Sequence, residues 1–416
     1  MPNWISIPLF LLTVLAAATV GLWGFVTLGA FLPPLPGWTI ALMKIGVIVF
    51  GFAMGLSSLM TVFGDRKQSA KIQNRMGPNR ATFFGMSLGG FPHFIADGIK
   101  MLLKEYTVPD GANKVLHTIS PILALAPVLL GWAVIPFMDQ YCTGQAVVIS
   151  EYPYSKCVNG EYRNYFQIMD LNAGVLFAFA IASIEVYAAA IAGWASNNKY
   201  SLLGGMRSAA QMISYEVSLG LSIAGILMLF GTLNLNEIAL MQGKLLFGWI
   251  PMWGIVLQPL AFFIFFLAGM AETKRPPFDQ PEGEEEIIAG FYTEYSTMSF
   301  AVFELSGYVA TVFLAALTAL LFLGGWQVPF LYDGGFYFGG IGDAAAFHIS
   351  LPYSLVVAMR IVAMCFKIIA LVWLQFMMRW SLPRFRYDQV MVLGWKILLP
   401  LSLANLFVTA LVVMLI

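Results

Sequence analysis

Three observations predict an all-α integral membrane protein. Nine stretches are apolar over about 20 residues or more, the length a helix needs to cross a bilayer; they lie near 8–31, 38–63, 115–137, 172–195, 210–232, 250–271, 298–324, 352–378 and 391–415. Charged residues are only 11% of the 416 and hydrophobic ones 59%, where a soluble domain carries about 25% charge. The basic residues are also sorted. Segments 64–114, 196–209, 272–297 and 379–390 hold 15 Lys and Arg, whereas 137–171, 233–249 and 325–351 hold only Lys156, Arg163 and Lys244. Nine helices crossing back and forth place these two sets on opposite faces. The basic set is then the inside one, with the N-terminus inside and the C-terminus outside, in the inner membrane of a bacterium. Backbone groups in lipid must bond within their own segment, which selects helices over open sheet.

The first run, 8–31, follows MPNWISIP, which has no Lys or Arg. It is longer than the apolar core of a signal peptide, about 7–15 residues, so it reads as a first span. Span 38–63 leads into the longest basic connection, 64–114. After the turn signals GPN and LGGFP, Phe91, Phe94, Ile95, Ile99, Leu102 and Leu103 recur at helical spacing, with Asp97, Lys100, Lys104 and Glu105 turned away. That pattern predicts an amphipathic helix lying at the lipid interface, an ordinary surface helix, or a platform for a partner helped by Arg66, Lys67, Lys71, Arg75 and Arg80. Connection 137–171 carries Cys142 and Cys157. Both fall on the face that meets an oxidising space in a bacterium, so a disulfide between them is expected.

Span 250–271 runs into ETKRPPFDQPEGEEE, residues 272–286, with six carboxylates and two adjacent bases. Pro276 and Pro277 forbid helix at its start. Pro281 suits a first helical position, and carboxylates after it suit a helix N-terminus, which gives part of the acidity a plain cause. A loop needing only solubility has no use for Arg275 beside two prolines.

Six ionisable residues fall inside predicted spans: Lys44, Glu185, Glu216, Glu304, Arg360 and Lys367. Counting along the helices at about 1.5 Å per residue places Glu185, Glu216, Glu304 and Lys367 in the inner half of the bundle. Buried ion pairs that fix helix register would explain any one of them. Four together point to a proton or ion path. No internal repeat marks a secondary transporter. The net charge of zero offers nothing to nucleic acid, and three scattered cysteines build neither an iron–sulfur nor a zinc site.

Five motifs in one order then carry a family resemblance: QNRMGPNR, ADGIKMLLKE, AGWASNNKYSLLGGMRSAAQMISYE, ETKRPPFDQPEGEEEIIAGFYTEYS and SLPRFRYDQVMVLGWK. Together they resemble the H-type membrane subunit (mitochondrial subunit 1) of proton-pumping NADH:quinone oxidoreductase, respiratory complex I. The resemblance implies eight family-like spans within 35–416, with residues 1–34 an extra N-terminal helix. It implies a quinone substrate, held without covalent attachment in a chamber shared with peripheral-arm subunits. It also implies antiporter-like membrane partners, surrounding lipid, and no redox centre or metal in this chain, the flavin and iron–sulfur clusters belonging to partners.

By motif, Asp65, Arg66, Arg75, Asp97, Arg207, Glu272, Arg275, Asp279, Glu282, Glu284, Glu286 and Glu294 would line the chamber. Glu185, Glu216, Glu304 and Lys367 would couple quinone reduction to proton movement. Departures are the first span, the 139–171 insertion, Asp65 where the family has glutamate, and SGY with Gly307 where the family reads GEY. Glu304, one turn earlier, is expected to replace that missing acid. The membrane anchor of a hydrogenase-type complex is an alternative, though such relatives tend to lose the acidic text that is intact here. A free-standing cation/proton transporter is another.

Overall fold

The computed structural model describes residues 37–82, 85, 88–142, 145–148, 155–158, 162–246, 249–281, 283–338 and 347–415. The expected first span, 8–31, lies outside these residues, so nine spans are not reached among them. Among the described residues, seven helices are long and apolar enough to cross a membrane: α1 (Ile40–Ile72), α3 (Lys114–Val134), α4 (Gly174–Ala195), α5 (Lys199–Phe230), α7 (Thr297–Phe322), α8 (Tyr353–Ser381) and α9 (Tyr387–Leu415). Between them lie α2 (Pro92–Leu103) and the shorter apolar α6 (Pro259–Glu272). The chain is an all-α, multi-pass membrane protein.

Two boundaries differ from the sequence reading for local reasons. The expected span 250–271 is a one-turn helix, Gly254–Leu257, and then α6. Pro259 disfavours helical geometry at the residue before it, and Gln258 breaks away at φ −137°, ψ 68°. The 14 residues of α6 rise only about 21 Å, less than the hydrocarbon thickness of about 30 Å. The span expected from 210 instead starts at Lys199, because the Asn198 side chain accepts from the Tyr200 N–H and caps it. At its far end Gly231 takes φ 65°, the left-handed geometry a glycine supplies without a Cβ penalty.

α7 is the hub. It packs on α1, α2, α3, α6 and α8, and 89% of its apolar window is buried. A helix apolar all round belongs in such a position. α9 packs on α5 and α6, and only 17% of its window is covered, leaving the remainder for lipid or a neighbour. α2 leaves Ile95, Ile99, Leu102 and Leu103 exposed, a face of the kind an interfacial helix presents to lipid.

On the face opposite the basic loops, short antiparallel strands cover the bundle. Tyr141–Cys142 pairs with Tyr162–Arg163, Gln145–Val148 with Ser155–Val158, and Gly335–Phe338 with both Leu331–Tyr332 and Phe347–Ser350. Cys142 and Cys157 are joined in a disulfide, their Cα atoms 5.5 Å apart.

Candidate functional site

The charged side chains gather where α6 stops. Thr273 and Lys274 turn the chain out of the helix, with Lys274 at φ 56°. The turn sends its two bases in different directions. Lys274 Nζ lies 3.2 Å from Glu185 Oε1 on α4, and Glu185 is only 6% exposed. A one-residue interruption of α4 at Ser183 sets Glu185 in the first turn of its second half. Glu272, the last residue of α6, lies within electrostatic reach of Glu185, Glu216 and Lys274. Its Oε2 is buried and accepts no hydrogen bond among the described residues.

Arg275 turns the other way, onto α7. Its Nη1 is 3.7 Å from Glu304 Oε2, and its guanidinium lies over the Tyr308 ring, 4.0 Å from the centroid. The Tyr308 hydroxyl donates to Asp65 Oδ2 at 2.7 Å, and Asp65 Oδ1 is 2.9 Å from Arg379 Nη1. A continuous set of charged and polar contacts thus runs from the loop through α7 to α1 and α8.

Two narrow cavities adjoin this set. One is lined by Glu185, Lys274, Arg275, Phe291, Tyr292 and Gly307 among others. The second includes Glu185, Glu272, Pro127, Phe179 and Phe313. Glu185 and Thr273 border both. Nearby, His117 stacks on Tyr295 at 4.1 Å, and burial pushes the Tyr295 phenol up to about 12, so it stays neutral at physiological pH.

Other sequence candidates form the rim. Arg66 pairs with Asp97, tying α1 to α2, and Arg207 pairs with Glu286 across α5 and the acidic loop. Asn198 donates to Glu294 at 2.8 Å. Asp279 enters through its carbonyl, which accepts from Arg384 at 2.6 Å. Arg75 is exposed and donates to Gln73, away from the cluster. Glu282 lies outside the described residues. Glu284 opens a one-turn helix, Glu284–Ile287, so Pro281 is not its first residue, as the sequence suggested; Gly283 precedes it.

Lys367 stands apart from the acids. Its Nζ donates to the carbonyls of Leu323, Gly325 and Gln327 at 2.8, 2.8 and 2.7 Å, beyond the C-terminal end of α7. Carbonyls left open at a helix end attract a cation. Glu304 pairs with Arg275, and the Lys367 amine reaches away from the inner half of the bundle, where counting along its helix placed it. Lys274, Tyr308 and Arg379 were not singled out from sequence. The signal for Lys274 was its place beside Arg275, and for Tyr308 its place after the unexpected Gly307. Among the described residues, no group of three or more His, Cys, Asp or Glu is placed to hold a metal ion.

Comparison with known proteins agrees with this architecture. The profile of the NADH dehydrogenase family matches residues 43–410. The second H-type subunit of the NADH-quinone oxidoreductase of Koribacter versatilis is 40% identical over 374 residues, covering 90% of this chain and 97% of the relative. The first such subunit of Geobacter sulfurreducens is 40% identical over 368 residues, 88% and 93% of the two chains. The corresponding subunit of Dehalococcoides mccartyi is 41% identical over 364 residues, 88% and 84%. With its all-helical membrane fold and these relatives, the chain belongs to the family of H-type NADH-quinone oxidoreductase subunits, the complex I membrane subunit.

Proposed function

We propose that this chain helps form the quinone chamber of its complex and couples quinone reduction to proton translocation. The observation that carries this reading is the loop turn at 273–275, where Lys274 and Arg275 join two partly buried charge sets, Glu185–Glu272 and Glu304–Tyr308–Asp65–Arg379. A change of charge at one end of such a set alters the protonation balance at the other. Carboxylates in excess of cations in a weakly hydrated site make protons movable. The acidic loop and the stretch 64–83 form the chamber wall, toward the peripheral-arm quinone-site subunits. The antiporter-like subunits receive the coupled change through the membrane. The basic face is the inside one in a bacterial inner membrane.

Photolabelling tests the chamber. A photoreactive quinone analogue applied to the assembled complex should label residues 272–297 or 64–83 of this chain, and excess natural quinone should suppress the label. Labelling confined to other subunits would remove this chain from the chamber. The coupling half is tested by Glu185→Gln, which should lower proton pumping per quinone reduced in sealed vesicles. An unchanged ratio would reduce Glu185–Lys274 to a structural pair.

A further inference from the structure

The outer half of α1 has an uncovered side. Ile48, Val49, Phe52, Ala53 and Leu56 face the core, where α1 packs on α2, α3, α7 and α8. On the other side Leu42 is 57% exposed, Ile45 36% and Phe50 61%. Steps of three and five residues keep these side chains on one face. The longer step falls where Gly46–Met54 winds as a π-helix, with its wider turns. Gly46 and Gly51 are exposed beside them. A Cβ added at Gly46 would meet nothing within 4 Å, and one at Gly51 only the Gly46 carbonyl at 3.6 Å. Another backbone can therefore come close along this face.

The sequence before α1 says what covers it. The helix begins at Gly37. Ahead of it stand the five residues LPPLP, 32–36, and ahead of those the apolar run 8–31, which contains no charged residue. Pro33, Pro34 and Pro36 interrupt helix across this link. Five residues reach at most about 18 Å, and helices joined by so short a link are antiparallel neighbours. The buried side of α1 is taken by α2, α3, α7 and α8, which leaves the Leu42–Ile45–Phe50 side. The run also suits a close approach, since Ala17, Gly21 and Gly24 recur at i, i+4 and i+7. Helices in lipid associate by packing of such small residues rather than by the hydrophobic effect.

We infer that residues 8–31 cross the membrane beside α1 and cover its Leu42–Ile45–Phe50 face. Counted out from the middle of the link at Pro34, Gly21 comes level with Val47, next to Gly46, and Ala17 with Gly51. The small residues of the two helices then meet, with the larger side chains to either side. α1 is thereby packed on both sides over its outer half, π-helix included. Its inner end bears Asp65, whose contacts to Tyr308 and Arg379 depend on where that helix stands. The assignment concerns packing alone and does not rest on the quinone and proton roles proposed above.

Photocrosslinking in the assembled complex tests it. Phe50→benzoylphenylalanine, and separately Leu42→benzoylphenylalanine, should form an adduct that proteolysis and mass spectrometry map to residues 8–31 of the same chain. Adding Gly46→Leu should lower the yield severalfold, because the larger side chain fills the space between the helices. Adducts only to another subunit or to lipid, or none from either position, would overturn the proposal. A second measurement stands even if the probes block assembly. Val26→Cys and Leu42→Cys come level by the same count, and together they should form a disulfide under mild oxidation. The other cysteines offer no background, since Cys142 and Cys157 are bonded to each other and Cys365 is buried. A pair that stays reduced would overturn the proposal as well.

Discussion

Arg275 occupies the space that Gly307 leaves empty. A Cβ built on Gly307 would fall 2.7 Å from Arg275 Nη2, and the same guanidinium has Glu304 Oε2 at 3.7 Å from Nη1. Positions 304 and 307 therefore address one cation from neighbouring turns of α7. A partly exposed ion pair of this length contributes at most about 1 kcal/mol. Glu304→Gln should accordingly lower coupled turnover by up to about fivefold. Adding Gly307→Glu should restore part of it, since the obstructing atoms belong to the flexible end of Arg275 and the new carboxylate meets them directly. Wild-type pumping by Glu304→Gln, measured in sealed vesicles, would end the idea of a relocated acid.

Arg275→Ala should cut quinone reductase activity while the complex still assembles. The substitution removes the contact to Glu304 and the cation over Tyr308, leaving the hydroxyl of Tyr308 on Asp65 and Asp65 on Arg379. Those remaining contacts keep α1, α7 and α8 joined. The relevant measurements are quinone turnover and subunit content after mild detergent extraction. Normal turnover with normal quinone affinity would make the loop a solvated element.

Lys367→Met should lower the thermal stability of the complex while leaving the ratio of protons pumped to quinone reduced unchanged. Its amine serves three carbonyls beyond α7 and lies 4.6 Å from the Trp253 ring centroid. Methionine keeps the volume and leaves those acceptors bare, at a cost of about 1–3 kcal/mol for each buried group left unpaired. A changed pumping ratio would return Lys367 to the proton path.

The spans themselves were legible because an apolar run of bilayer length has few other uses. Eight of the nine expected runs coincide with described helices, and Pro259 explains why one of these is short. The alternation of basic loops gave the two faces. The partners of the charges were not legible, since Glu185 meets Lys274 from 89 residues away and Asp65 meets Arg379 from farther still. Depth along a helix misassigned Lys367 for a related reason. A long side chain carries its charge well away from its Cα, and here it reaches toward the C-terminal end of α7. Gly307 was visible as a departure, but only the folded chain reveals that Arg275 fills the gap.

Reducing the Cys142–Cys157 disulfide should destabilise the connection over the opposite face. Closing a loop of 15 residues' separation is worth about 3 kcal/mol in the chain-entropy model. Replacing both cysteines with serine should raise proteolysis within 139–171 while leaving the basic-face contacts intact. Alkylation without reductant followed by mass spectrometry should find neither thiol labelled. Two labelled thiols would show the bond absent from the protein as isolated.

Asp139 should give the complex a pH-dependent stability of known sign. Burial raises its folded carboxyl to about 6 from an ordinary 3.8. The folded state therefore binds more protons than the unfolded one between those values, and stability falls as pH rises through the window. The contribution is fully present below about 3.8, is lost by degrees as pH climbs, and is gone above about 6, a span of about 3 kcal/mol. Other carboxylates with depressed values act in the opposite sense, so the wild-type curve alone does not isolate the effect. The difference between wild type and Asp139→Asn does. Asparagine carries no proton and no charge at any pH, so the variant should gain on the wild type as pH rises from about 4 to about 7 and hold a constant difference above that. Thermal unfolding of the detergent-solubilised complex, followed through the solubility of this chain, gives both curves. A difference that stays flat across the window would mean that Asp139 keeps its charge when folded.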